Sequence, residues 1–271
     1  MISPLHAILL GLVEGLTEFL PVSSTGHLIL ASALLGLQGE AVKIFEVVIQ
    51  AGALVAVLGL YRARVAAMWR GLLGRDRDGR RLLVNLLISF MPSAVVGVLA
   101  HHAIERSLFG VRPVVLALAA GGVFMITVEP RLRVLRARPT RKSLETIMGW
   151  EAFVVGTAQC LALWPGTSRS MVTLVAGLWL GWSASVAAEY SFLLALPTLG
   201  AATVYSFLTG RHVLSQGISP WSMACGFLVA GVVAWLAMRG FVVYLRRRGL
   251  APFGWYRIGL AAVVWCLRLR A

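Results

Sequence analysis

Six apolar stretches, near 42–61, 82–100, 112–128, 186–205, 221–241 and 252–268, each approach the length a helix needs to cross a bilayer core. That core is about 30 Å thick and takes about 20 helical residues. No water-soluble fold buries so many such runs. The 271 residues are 59% apolar and only 13% charged, with mean hydropathy +0.83. Soluble domains carry about 25% charged residues. Too few charges remain to coat a soluble surface, and a chain this apolar is not disordered. The expected product is an all-α integral membrane protein, one membrane domain over 1–271.

Two further apolar regions, 1–37 and 147–181, are broken near their middles. The first break is Pro21-Val22-Ser23-Ser24-Thr25-Gly26-His27, and the second is Pro165-Gly166-Thr167-Ser168-Arg169-Ser170. Each half is short for a straight span. A helix in, a turn, and a helix back out on the same side fits better. The expectation is six transmembrane helices plus two re-entrant helical hairpins.

Basic residues orient this scheme. The net charge is +14, which in a soluble protein would point to nucleic acid. Here 17 of the 25 Lys and Arg sit in three segments, 62–81, 129–146 and 239–248. Pairs of spans separate them, so all three fall on one side. The positive-inside rule makes that side cytoplasmic. The bilayer is then the expected partner, with no nucleic acid. The hairpin 1–37 enters from outside and the hairpin 147–181 from the cytoplasm.

The two halves also resemble each other. Pro21 and Pro165 each precede a hydroxyl-rich turn and a new helix, and Glu46 and Glu189 follow in the next span at nearly equal spacing. The expected organisation is an inverted-topology repeat, approximately 1–128 and 147–268. Such repeats with broken helices place a polar site near the bilayer midplane.

Glu14, Glu18, His27, Glu46, Arg169 and Glu189 are ionisable groups at membrane depth. Each costs about 2.5–3.5 kcal/mol at a helix centre, so they should meet each other or a wet cavity. Glu14 and Glu18 share one helix face at i, i+4. A shared proton, a divalent cation or a nearby arginine would relieve their repulsion, or one carboxylate could reach water at the hairpin edge. Ser23, Ser24 and Thr25 suit helix capping, and the helix start they open is also an anion site. His27 lies three residues after Ser24 and can exchange protons near neutral pH. Arg169, flanked by Thr167, Ser168 and Ser170, calls for an anion: a phosphate held in its fork, or an internal ion pair with Glu18 or Glu189. With the repeat closed, two helix starts and one arginine form a phosphate cradle, with Glu14 and Glu18 able to hold a cation against it. Glu46 with Gln50, and Glu189, are expected to accept hydrogen bonds from backbone exposed at the breaks.

Other features read more simply. Cys160, Cys225 and Cys266 have no metal or redox spacing and are expected to be buried small hydrophobes. The pairs Gly11/Gly15 and Gly177/Gly181 suggest close helix packing. Trp150, Trp221 and Trp255 suit interface anchors. His101 and His102 with Glu105 read as solvated surface. The first apolar run has no basic lead and carries Glu14 and Glu18, so no cleavable signal peptide is expected.

The run Glu14-Gly15-Leu16-Thr17-Glu18-Phe19-Leu20-Pro21-Val22-Ser23-Ser24-Thr25-Gly26-His27 resembles the first signature of the bacterial undecaprenyl-diphosphatase family, also called bacitracin resistance proteins. Leu163-Trp164-Pro165-Gly166-Thr167-Ser168-Arg169-Ser170 resembles the second, although many members have Phe at the Thr167 position and Gly where Met171 stands. Phe45-Glu46-Val47-Val48-Ile49-Gln50 and Ala188-Glu189-Tyr190-Ser191-Phe192-Leu193-Leu194 also match. The resemblance implies a multi-pass phosphatase of the bacterial inner membrane, with its site open to the periplasm. It would turn the carrier lipid undecaprenyl diphosphate into undecaprenyl phosphate for cell-wall synthesis, using a divalent cation. It implies essential roles at Glu14, Glu18, Ser24, His27 and Arg169. In this scheme a Mg²⁺ or Ca²⁺ on Glu14 and Glu18 assists, Ser24 attacks and His27 shuttles the proton; direct attack by water, with His27 or Glu18 as base, is the alternative. The same architecture would also serve a lipid flippase or anion transporter. Oligomeric state, a homodimer included, stays open.

Overall fold

The computed structural model describes residues 2–108, 110–137, 140 and 142–266, less the side chains of Glu105 and of residues 209–217. Arg138 and Arg141 of the basic segment 129–146, and the Glu105 side chain, therefore lie outside the description. Among the described residues the chain is helical, and its β pairing is a single bridge between Ile2 and Ile218.

Eleven helices follow in order: α1 (Pro4–Thr17), α2 (Ser24–Leu34), α3 (Glu40–Leu60), α4 (Arg62–Leu72), α5 (Arg77–Leu108), α6 (Val111–Ala137), α7 (Gly149–Gln159), α8 (Arg169–Trp179), α9 (Ala184–Gly217), α10 (Pro220–Arg248) and α11 (Ala251–Cys266). Five of them, α3, α5, α6, α9 and α10, are long and apolar enough to cross a membrane. The sixth expected stretch is α11, which runs for 16 described residues. Several helices outrun their apolar cores: α5, α6, α9 and α10 continue into segments expected to be loops. The basic segment 62–81 is itself mostly the helix α4 and the start of α5, because its arginines are good helix formers and its apolar residues recur at helical spacing.

Both expected breaks are present, and they are built alike. α1 stops before Pro21, and α2 begins at Ser24 behind Ser23, which holds φ 74° and accepts from the Gly26 N–H. α7 runs into a 3-10 turn, Cys160–Leu163, and α8 begins behind Ser168, with φ 79° and its hydroxyl accepting from the Met171 N–H. A positive φ on a serine costs on the order of 1–3 kcal/mol, so the surroundings must hold it. α2 and α8 are both 11 residues long. Both end in a left-handed glycine, Gly36 and Gly181, with the paired C-terminal hydrogen bonds of a Schellman turn.

Close backbone contact fixes the hairpins in place. A Cβ on Gly11 would come within 2.6 Å of the Gly226 carbonyl oxygen, and one on Gly15 within 2.5 Å of Ala230's. This beds α1 on α10, as the small-residue spacing predicts. α7 is bedded on α5 in the same manner through Gly156 and Ser89. Gly177 packs against Trp182, but Gly181 meets nothing within 4 Å. Its role is the left-handed turn and not packing. The cysteines also depart from expectation: Cys160 and Cys225 are half-buried and Cys266 is exposed, all free. In a membrane protein an outward-facing side chain meets lipid, so apolarity does not require burial. Trp150, Trp221 and Trp255 are likewise exposed.

The least expected element of the core is Arg257 on α11, fully buried. Its guanidinium donates to the carbonyls of Pro21 (3.3 Å), Gly166 (2.7 Å) and Thr167 (2.9 Å), and to Ala117 (2.9 Å) and Leu118 (3.3 Å) on α6. One side chain thus satisfies carbonyls freed at both breaks. Hydrogen bonds to a charged group contribute about 1.5–3 kcal/mol each. Arg257→Leu should lower the thermal unfolding midpoint in detergent by about 10 °C or more, measured by differential scanning fluorimetry. Arg257→Lys, with three donors on a point charge, should recover only part of that loss.

Candidate active site

The two breaks meet. Ser170 Oγ donates to the Leu20 carbonyl at 2.8 Å and lies 3.0 Å from Ser168 Oγ, sewing the second turn to the first. Between the turns is a cavity of about 120 Å³, lined by Glu18, Ser23, Ser24, Thr25, Ser168 and Arg169, with Gln50 from α3. One water needs only about 10–15 Å³ by the same measure, so this polar-lined space has room for several.

Glu18 is the hub of the site. Ser24 Oγ donates to its Oε2. Arg169 Nη2 reaches its Oε1 at 3.0 Å. Arg169 Nη1 donates to the Ser191 carbonyl at 2.7 Å, and its Cζ stands 5.8 Å from the Phe19 ring centre. A hydroxyl, a carboxylate and a guanidinium thus form one chain at the start of two helices. The Arg169–Glu18 ion pair is the alternative the sequence left open, and the phosphate-binding fork is therefore occupied by an internal partner here. Arg169 Nε is buried and unpartnered, so the guanidinium keeps unused donor capacity.

His27 faces elsewhere. Its Nδ1 is 2.7 Å from the Ser23 carbonyl and its Nε2 is 2.8 Å from the Tyr256 hydroxyl, with the two rings nearly parallel. A carbonyl only accepts, so Nδ1 carries the proton and Nε2 accepts from Tyr256. The imidazole therefore stands behind the first turn of α2, not against Ser24, and Glu18 takes the place beside the serine.

Glu14 is 0% exposed with both carboxylate oxygens unpartnered. Glu18, Glu46 and Arg169 are its charged neighbours. Glu46 accepts from Ser32 Oγ at 2.9 Å, a side-chain hydroxyl and not backbone at the break. Glu189 is remote from the cavity: Arg64 Nε donates to it at 2.9 Å, and Arg64 also pairs with Glu145. The expected supporting role of Glu189 does not hold, because α4 supplies the second half with a cation that captures it. At that end of the molecule the Ser143 hydroxyl, with Arg64 adding to it, holds the Glu145 carboxyl below its ordinary range. Thr167 offers its carbonyl to Arg257, and Ser170 is spent on the seam between the turns.

Tyr256, Arg257 and Ser191 were missed from sequence. Arg257 could have been found, since an arginine amid an apolar stretch demands partners for the same reason as Arg169. Tyr256 and Ser191 carry no such signal.

A polytopic helical membrane protein with a serine, acid and arginine chain between two broken hairpins is what the fold and site define. The family model described as bacitracin resistance protein BacA matches residues 7–263, and the chain belongs to that family. A Sorangium cellulosum protein named undecaprenyl-diphosphatase is 51% identical over 259 residues, 95% of this chain and 84% of its own. Proteins of the same name from Rhizorhabdus wittichii and Nitrosomonas europaea are 45% and 44% identical, covering 98% and 96% of this chain and 98% and 93% of theirs.

The tautomer of His27 is open to direct measurement. Nitrogen-15 NMR should show Nδ1–H and an Nε2 acceptor shift. Tyr256→Phe should move only the Nε2 resonance.

Proposed function

We propose that this chain hydrolyses the terminal phosphate of undecaprenyl diphosphate to give undecaprenyl phosphate, with Ser24, Glu18 and Arg169 at the reacting centre. The observation that carries this reading is the hydroxyl–carboxylate–guanidinium chain lying in a polar-lined cavity at two helix starts. The names of the relatives, spread over nearly the whole chain, support the substrate.

In this mechanism the diphosphate enters between the two turns. Arg169 leaves Glu18 for the phosphate oxygens, and the free N–H groups of α2 and α8 add donors. Glu18, released from its ion pair, takes the Ser24 proton. Ser24 Oγ bonds to the terminal phosphorus as the bridging P–O bond breaks, and undecaprenyl phosphate departs with the electron pair. Water then attacks the phosphoserine and inorganic phosphate leaves, returning Ser24. Ser23, Thr25 and Ser168 line the path of the phosphate. In the second step Glu18 returns its proton to Ser24 Oγ and the attacking water's proton leaves with the phosphate, while His27, held by Tyr256 and the Ser23 carbonyl, positions the first turn of α2. Attack by water from the start, with Glu18 as base, is the competing chemistry.

A divalent cation fits the donor set. Glu14 is an orphaned buried carboxylate beside Glu18, and Mg²⁺ needs only one or two carboxylates plus substrate phosphate. Glu14 and Glu18 would hold it, and when bound it would neutralise phosphate charge. Among the described residues no cluster of three or more His, Cys, Asp or Glu forms a metal cage without substrate.

The finer architecture belongs to the same proposal. The matched serine caps, 11-residue second helices and glycine stops, together with α1 on α10 and α7 on α5, support an inverted repeat with six spans. The basic segments at the Arg64 end support a cavity reached from the periplasmic side.

Phosphate release from the lipid by detergent-solubilised protein tests the reading, because detergent abolishes vectorial transport and leaves hydrolysis. Arg169→Lys and Glu18→Gln should each lower kcat/KM by about a hundredfold or more. Ser24→Ala should abolish phosphoserine labelling and turnover together. Retained turnover in Ser24→Ala selects attack by water. EDTA should suppress turnover and added Mg²⁺ or Ca²⁺ restore it, and a full rate in chelator removes the cation from the scheme.

A further inference from the structure

The substrate's head is small and polar, but most of its bulk is an isoprenoid tail, and the cavity has no room for one. The tail must leave the site sideways. Two of the cavity's lining residues stand on α3 and α9: Gln50 and Leu199. Beside them, the same two helices line a second, apolar cavity of about 330 Å³. Val47 and Ala51 flank Gln50 on α3, and Thr203 lies one turn beyond Leu199 on the same face of α9. Phe207 on α9 and Phe227 on α10 complete the trough, and the Thr203 hydroxyl is the one polar side-chain group among its lining residues. That hydroxyl is buried and unpartnered, and Phe207 is more than half exposed.

We propose that this trough between α3 and α9 is the binding site for the first isoprene units of the substrate tail. The inference rests on the phosphatase reading above. Its physical basis is continuity and chemistry. The trough begins within a helical turn of the cavity wall, opens to the outside of the helical body where bilayer lipid lies, and offers aliphatic and aromatic surface to a branched hydrocarbon. Burying that hydrocarbon gains no hydrophobic free energy over lipid, as the bilayer is equally apolar. The trough therefore acts by fixing the tail, so that the diphosphate enters the cavity already oriented. The aromatic rings and branched side chains give a shaped surface where lipid gives a fluid one.

The test fills the trough. Ala51→Phe and Val204→Trp approach it from opposite walls and touch no residue of the reacting centre. Full-length protein in detergent is assayed on undecaprenyl diphosphate and on methyl diphosphate, a short substrate with no isoprene unit, with size-exclusion profiles reporting the fold. Each variant should raise KM for the long lipid at least about tenfold, with kcat/KM on the short one within about twofold of the unmodified protein. Equal effects on both substrates, or none on either, overturn the groove. No phosphate release by unmodified protein from either substrate overturns the phosphatase reading instead. As a second measurement, a prenyl diphosphate carrying a diazirine on its second isoprene unit is photolysed with unmodified protein. Labelling at 44–51 or 203–208 that excess undecaprenyl diphosphate competes away supports the groove. Labelling elsewhere, or labelling matched by a diazirine phospholipid and not competed, assigns the trough to bilayer lipid and overturns it.

Discussion

A bilayer offers no water to a broken helix. Every carbonyl and N–H freed by an interruption must find a protein partner or a wet cavity. This chain interrupts two helices at membrane depth, and the structure is arranged around satisfying what those interruptions expose. Arg257 takes carbonyls from both breaks and from α6. Ser170 takes the Leu20 carbonyl. Ser23 and Ser168 accept from the new helices they cap. The starts of α2 and α8 both lie at the cavity wall, and a helix start is a place suited to an anion.

The same accounting explains the ion pair at the centre. Arg169 and Glu18 are both deeply buried, with side chains 10% and 4% exposed. Either alone would be costly there, and together they hold each other in place at modest net gain. An anion that offers Arg169 more oxygens than Glu18 does can displace the carboxylate, which is then left next to the Ser24 hydroxyl without its counter-ion. In the proposed mechanism, binding and activation of the serine are therefore one event, since the charge that holds the acid quiet is the charge the phosphate recruits.

Much of this was legible in the amino-acid order. The apolar runs gave the helices, the two proline and hydroxyl interruptions gave the hairpins, and the cost of charge in lipid singled out Glu14, Glu18, His27 and Arg169. What the order could not carry was direction. Ser24, Glu18 and His27 all lie within ten residues, but which of the two neighbours faces the serine depends on the turn at Ser23, whose positive φ has no signature in a run of serines. Glu189 was misplaced for a related reason. Spacing made it the counterpart of Glu46, while its actual partner, Arg64, comes from a helix that the basic composition disguised as a loop. Arg257 went unnoticed because a single basic residue in an apolar stretch was weighed as part of the span and not as a demand on its neighbours.

The bedding of α1 on α10 has a consequence for how the protein is made. The first hairpin emerges from the ribosome with two helices of 14 and 11 residues, neither able to cross the bilayer alone. Its glycine seat, Gly226 and Ala230, is some two hundred residues downstream, and the arginine that quiets its open turn comes later still, at 257. Until residues 226–257 have joined the helical body, the segment of α1 and α2 has no settled berth, so the site is completed late.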